Sequence, residues 1–275
     1  MLIKLENVNY IYNAGTAEET AALRNICLEL GECSFTAIAG STGSGKSTLL
    51  QLLNGLLMPS SGQIYYDGVK IADDKKALRE LRCRVGLVFQ YPEYQLFDET
   101  LIKDVTFGPK NKGLDKAAAC EMAESALRAV KLPEKLWNKS PFELSGGEQR
   151  KAAIAGIIAM KPELLVLDEP TAGLDPVSKR EILDLLKSFN KDHKVAVIMV
   201  SHNMDEIAEY ADRLIAMHNG QVLLDGTVKE VFEHRRELED LGLGVSVAAD
   251  LCDSVGLHGP VTIEEAAAAI YDHFS

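Results

Sequence analysis

Eight residues, Gly40-Ser41-Thr42-Gly43-Ser44-Gly45-Lys46-Ser47, fit the pattern G-x-x-x-x-G-K-[ST]. Glycines at this spacing let backbone N–H groups turn toward one centre and wrap phosphate oxygens. Lys46 would reach the β- and γ-phosphates of a nucleotide, and the Ser47 hydroxyl would ligate Mg²⁺. The nucleotide-binding stretch extends to Thr48. A Gly/Ser turn between a strand and a helix is the plain alternative. The strand-like run at 34–39 and the helical pattern at 46–56 are the context the phosphate loop requires, since the helix adds its positive N-terminal end.

A second group of residues carries acids and a base. Leu164-Leu165-Val166-Leu167 is an aliphatic run that ends in Asp168 and Glu169. Asp168 would hold magnesium through water, and Glu169 would orient or deprotonate an attacking water. Acids at the C-terminal end of a strand lie where α/β folds bind ligands. His202 follows the apolar run 195–200 and Ser201, and its functional reading is a γ-phosphate contact that bridges to Glu169. Gln90 ends another strand-like run and could touch Mg²⁺ or the attacking water. Tyr12 could stack on adenine, with Tyr10 as its competitor. Asp175 precedes Pro176 in a turn and would at least cap the helix that the proline opens.

Leu144, Ser145, Gly146, Gly147, Glu148 and Gln149 form a short Ser/Gly run at the head of an apolar, helix-patterned segment, 152–160. Alone, it reads as a helix cap. Lying between the phosphate loop and the paired acids, it reads as part of the same machinery.

These residues need a scaffold. Runs at 2–12, 26–30, 63–67 and 84–89 read as strands, as do 164–167 and 195–200. Residues 90–160 are mainly helical, most clearly at 116–130, and read as an insert. Residues 214–217, Asn219-Gly220 and 221–224 read as a hairpin. After Gly226 the chain is acidic and helical, with a break at Gly242 and Gly244. Strands alternating with helices imply an α/β fold with a mainly parallel sheet. The expected domains are 1–226, with a helical subdomain at about 90–160, and a small C-terminal helical appendage at 227–275.

Composition sets the bounds. The 275 residues carry a formal net charge of −12, which opposes general nucleic-acid binding. Cysteines 27, 33, 83, 120 and 252 are odd in number and contain no CxxC pair, so a zinc site or disulfide frame is not expected. The charged start is not that of a signal peptide. No apolar run approaches the ~20 residues of a membrane span. The expectation is a soluble chain that docks on a membrane protein.

The set of the phosphate loop, Gln90, residues 144–149, Asp168-Glu169, Asp175 and His202, in that order, resembles the ABC-transporter ATPase family over roughly residues 1–230. The resemblance implies a P-loop ATPase with an N-terminal antiparallel β subdomain and a helical subdomain bearing the signature. It implies that Leu144, Ser145, Gly146, Gly147 and Glu148 face the phosphate loop of a partner subunit, with two ATPs sandwiched head to tail. Asp175 would lie in the dimer-interface loop. Glu148 stands where the family more often has Gln.

Gln90-Tyr91-Pro92-Glu93-Tyr94-Gln95-Leu96-Phe97, together with Phe107-Gly108-Pro109-Lys110-Asn111 and Ser140-Pro141-Phe142-Glu143, looks like the ATPases of energy-coupling factor (ECF) importers. The match is to the second of two paired ATPase subunits. This resemblance implies ATP and Mg²⁺ as ligands and a second, related ATPase as partner, in a heterodimer or a homodimer. It also implies a membrane T-component contacted through residues 90–99, an indirect S-component that captures the solute, and a place on the cytoplasmic face of the cell membrane. Glu93, Asp98 and Glu99 would receive arginines of the T-component, or would simply be solvated loop charge. The C-terminal appendage would aid dimerisation. Alternatives are the ATPase of another ABC importer, such as one for cobalt or nickel, and a soluble non-transport ABC ATPase.

Overall fold

A computed structural model describes residues 2–274; residues 1 and 275, the outer limits of the expected domains, lie outside it. The chain falls into two compact units. One comprises the residues up to Ile71 and those from Ile198 onward; the other is Ala72–Val197.

The first unit opens with β1 (Ile3–Tyr12), β2 (Thr20–Leu30), β3 (Phe35–Gly40), α1 (Lys46–Leu53), β4 (Ser61–Tyr66) and β5 (Val69–Lys70). β1 pairs antiparallel with both β2 and β4, giving the order β2-β1-β4-β5. Leu5 lies opposite Leu28, and alternate residues of β2 (Ile26, Leu28 and Leu30) are buried. This is the expected antiparallel β region. β2 begins at Thr20, before the expected start at 26, because exposed Arg24 and Asn25 separate the buried Leu23 from Ile26 and break the apolar pattern. β3 is buried at every position, as a strand covered on both faces must be. α1 ends at Leu53 rather than 56, since Gly55 takes φ +68° and turns the chain out of the helix.

The second unit contains α2 (Lys75–Arg84), β6 (Val85–Val88), α3 (Leu101–Val105), α4 (Phe107–Asn111), α5 (Lys116–Ala129), α6 (Gly146–Ile158), β7 (Leu164–Asp168), α7 (Pro176–His193) and the start of β8 (Ala196–Val200). β6 and β7 run parallel, with Val88 opposite Leu167, and the strand order here is β8-β7-β6. The stretch between β6 and β7 is helical, as expected. α2 was not expected: of its ten residues only Leu78 and Leu81 are buried, too narrow a stripe to show as a periodicity.

The first unit resumes with the rest of β8, then α8 (Met204–Tyr210), β9 (Arg213–His218), β10 (Gln221–Thr227), α9 (Val228–Glu233), α10 (Arg235–Asp240), α11 (Val247–Ser254) and α12 (Ile263–Phe274). β3 and β9 are parallel, β10 is antiparallel to β9, and the order is β10-β9-β3-β8. Asn219 and Gly220 both have positive φ, +47° and +78°, as a two-residue hairpin turn requires. Val231, Phe232, Leu238 and Ala249 share one buried cluster with Ala37, Ile207 and Leu214, so the helices after β10 are packed onto the β3–β9 layer. Among the described residues no helix is long and apolar enough to cross a membrane.

The hairpin turn also braces the phosphate loop. Gly220 N–H donates to Ser44 O at 3.1 Å, and Gly220 O accepts from Arg24 N–H at 2.8 Å. A Cβ on Gly220 would lie 2.6 Å from the Ala22 carbonyl oxygen. Gly220→Ala is therefore expected to lower stability by about 1–3 kcal/mol, read as a fall in the thermal midpoint. An unchanged midpoint would show that the turn is not held against β2.

Candidate functional site

The phosphate loop is built by exclusion of side chains. A Cβ on Gly40 would meet the Met217 carbonyl oxygen at 2.4 Å, and one on Gly45 the Ala22 carbonyl oxygen at 2.5 Å. Gly43 and Gly45 have φ of +81° and +99°, which glycine alone adopts without strain. Gly45 is also the N-cap of α1 and supplies no side chain to its first turn, which holds no acid. No side chain therefore caps the first turn of α1, an arrangement that suits an anion. Lys46 Nζ donates to Gly40 O at 2.7 Å and to Ser41 O at 2.9 Å, so the ammonium lies over the loop. Ser41, Thr42, Ser44, Ser47 and Thr48 complete this stretch. Tyr12, partly exposed, lies 3.2 Å (Oη to Oγ1) from Thr48 and stacks edge-on with Tyr10. His202 is exposed in the turn after β8. Beside it, Ser201 Oγ accepts from Asn203 N–H at 3.1 Å, and Asn203 caps α8.

In the other unit, Asp168 ends β7 and Glu169 follows with φ +46°. A left-handed glutamate is uncommon, and such strain concentrates at functional sites. Gln90 Nε2 donates to Glu169 Oε2 at 2.9 Å. Two residues far apart in sequence, each singled out for the hydrolytic water, are therefore in direct contact.

Ser145 caps α6. Its hydroxyl accepts from Glu148 N–H at 3.4 Å, while the Glu148 carboxylate accepts from Ser145 N–H at 2.9 Å and lies 2.7 Å from Ser145 Oγ. The carboxylate is thus turned back onto the start of its own helix. Ser145's hydroxyl and N–H together hold the Glu148 carboxyl below the usual range. Leu144 is buried, and a Cβ on Gly146 would meet open space. A Cβ on Gly147 would lie 2.6 Å from Ser178 Oγ. Ser178 in turn donates to Asp175 Oδ2 at 2.6 Å, and Asp175 caps α7. The Ser178 hydroxyl, more than any other cause, holds the Asp175 carboxyl low. Signature glycine and Asp175 turn are thus linked through one serine.

Glu93 is paired with Arg150, at 2.7 Å, with side-chain exposures of 13% and 1%. Its carboxylate is therefore already engaged within the chain. Glu99 pairs with Lys103 at 2.6 Å on the surface. Asp98 accepts from Glu99 N–H at 2.8 Å. Around them Tyr94, Phe97 and Phe107 are exposed, beside a cavity of about 330 Å³ that Leu96, Ile157 and Met160 help to line.

Sequence reading missed Arg150 and Ser178. Arg150 had a signal: it shares a helix face with Ile154 and Ile158, and a charge on a buried stripe needs partners. Ser178 had none, because its importance comes from a neighbour distant in sequence.

Comparison with known proteins places the chain in a family. The ABC transporter family model matches residues 23–172. The energy-coupling factor transporter ATP-binding protein EcfA2 of Caldanaerobacter subterraneus subsp. tengcongensis is 50% identical over 272 residues, covering 97% of this chain and 95% of that protein. The structure resembles cbiO1 from Clostridium perfringens, part of the ABC transporter complex cbiONQ, with TM-score 0.77, 38% identity, and coverage of 88% of this chain and 94% of that one. It also resembles the ATP-binding cassette MJ0796, a dimer in a post-hydrolysis state bound to ADP and Pi, with TM-score 0.74, 31% identity, and coverage of 82% and 98%.

The Glu148 cap yields a pH-dependent expectation. A carboxyl whose folded pKa is depressed stabilises fully above its unfolded value, about 4.3, and loses that contribution as pH falls through the folded value. Glu148→Ala should cost about 1 kcal/mol at neutral pH in urea unfolding. The gap to the parent should close as the pH is taken below the ordinary glutamate range. A gap that stays constant into acid would mean that the ionised cap is not its source.

Proposed function

Since this chain belongs to the ABC transporter family, we propose that it is the ATP-binding and hydrolysing subunit of an ECF-type importer of vitamins or other micronutrients. The Gln90–Glu169 hydrogen bond carries the hydrolytic part of this reading. It holds one oxygen of the carboxylate that would orient the attacking water. The phosphate loop receives the triphosphate through its N–H groups, with Lys46 countering the β- and γ-charges. Ser47 and Asp168 are hard oxygen donors of the kind Mg²⁺ takes, and Gln90 offers its amide oxygen. When bound, Mg²⁺ would neutralise charge developing on the phosphates. His202 would reach the γ-phosphate, and Tyr12 would stack on the adenine.

Ser145 and the N–H groups of Gly146 and Gly147 would close on a γ-phosphate held by a second, related ATPase. Asp175 would lie in that interface. Residues 1–226 form the ATP-binding domain, and 227–275 form an appendage that aids pairing. Swinging such a pair from 1:99 to 99:1 closed needs about 5.5 kcal/mol of differential binding. Two nucleotides, each held from both sides, are suited to supply it. The exposed aromatic residues Tyr94, Phe97 and Phe107 around the 90–99 segment offer an apolar seat for the membrane T-component. The S-component, reached indirectly, would set the solute, and the ATPase would work at the cytoplasmic face of the membrane.

Two substitutions test this reading in the assembled transporter. Glu169→Gln should retain ATP binding, slow turnover by on the order of 100-fold or more, and hold the ATPase pair closed. Normal hydrolysis would remove Glu169 from the role given to it. Ser145→Arg should impair the ATP site whose phosphate loop is on the partner. Impairment confined to the site on its own chain would overturn the assignment in trans.

A further inference from the structure

We propose that Arg150 is a positioning residue for hydrolysis, locking the segment after Gln90 and the turn after Glu169 to the signature helix α6. The inference rests on Glu169 serving the hydrolytic water. Arg150 Nη1 donates to Pro170 O at 2.6 Å, and Nη2 donates to Ala172 O at 3.0 Å and to Glu93 Oε1 at 3.0 Å. Nε lies 2.7 Å from Glu93 Oε2, and the side chain is 1% exposed. The guanidinium carbon also lies 5.8 Å from the centroid of the Tyr91 ring. Three segments therefore converge on one planar fork.

What those segments have in common is strain beside function. Tyr91 follows Gln90 and has φ +54°; Glu169, just before Pro170, has φ +46°. Residues held in the left-handed region persist only where their surroundings over-determine them. Arg150 supplies that constraint on both sides at once, through the Tyr91 ring and Glu93 on one and through two carbonyls on the other. The 2.9 Å bond from Gln90 to Glu169 depends on the two strained segments keeping their relative place. Arg150 thus acts through Gln90 and Glu169. A lysine could not replace it, because one ammonium cannot span two carbonyls and a carboxylate in a plane. Because Arg150 is on α6, a shift of the 90–97 segment is also transmitted to the helix that Ser145 caps.

The test uses the transporter purified with its partner subunits, comparing Arg150→Lys, Glu93→Gln and Glu169→Gln. Arg150→Lys should lower kcat about tenfold or more, with KM and the Kd for a fluorescent ATP analogue within about twofold of the parent. Glu93→Gln, which keeps an amide oxygen for Nη2, should fall between. Parental kcat in Arg150→Lys, or a loss of ATP affinity as large as the loss of rate, would overturn the proposal. Should Arg150→Lys fail to assemble, Glu93→Gln decides by the same criteria. Turnover in Glu169→Gln would instead sink the hydrolytic reading itself, and this inference with it. An inactive Glu169→Gln beside a fully active Arg150→Lys would remove only the positioning role.

Discussion

Every α-helix starts with four N–H groups that its own turns cannot satisfy. In this chain α2, α5, α6, α7 and α11 direct some of theirs to Asp74, Asp115, Ser145, Asp175 and Ser246. α1 has Gly45 in that place and no side-chain cap. A polyphosphate can meet those donors only if nothing internal does so first. Much of the first unit serves that condition. β3 is buried on both faces and delivers the chain to one point. Close backbone packing against Met217 and Ala22 forbids side chains at Gly40 and Gly45. The turn at Gly220 holds the Ser44 carbonyl from behind.

On the role proposed for Glu169, the second unit would solve a different problem, that of aiming one carboxylate. Its means is strain rather than openness. Glu169 and Tyr91 both occupy backbone conformations that a free chain avoids, and a buried, multiply bonded arginine lies between them. Removing one member of such a buried ion pair typically costs about 3–5 kcal/mol. Glu148 is the counterpart on the signature. Its carboxylate is engaged by the amide and hydroxyl of Ser145, so it supports the cap of its own helix.

These two kinds of solution differ in how well sequence reveals them. The phosphate loop, the acids after β7 and the Ser/Gly run were legible because each needs particular residue types within a few positions. The parallel strands were legible as unbroken apolar runs, and the hairpin at Asn219-Gly220 by its turn residues. The start of β2 was not, because the exposed pair Arg24-Asn25 interrupts the apolar pattern between Leu23 and Ile26. Nor was α2, whose two buried leucines are hidden among lysines and arginines. The Gln90–Glu169 contact and the Ser178 bridge join positions that only the fold brings together. The pairing of Glu93 with Arg150 belongs with them, since in sequence the glutamate looks like any other loop acid.

Lys46 gives the phosphate loop a threshold. Its ammonium already holds two backbone carbonyls, so much of the side-chain freedom a lysine would surrender on binding is spent beforehand. An arriving group must outbid neutral oxygens that are already in place. Charged oxygens can do so, because an anionic acceptor adds the attraction of opposite net charges to the hydrogen bond, which a neutral carbonyl does not. Hydroxyls and amides gain nothing by the exchange. On the proposed reading, the same lysine that would grip a triphosphate would also favour charged groups over uncharged metabolites, a filter by charge that would act before any fit of base or sugar is tried.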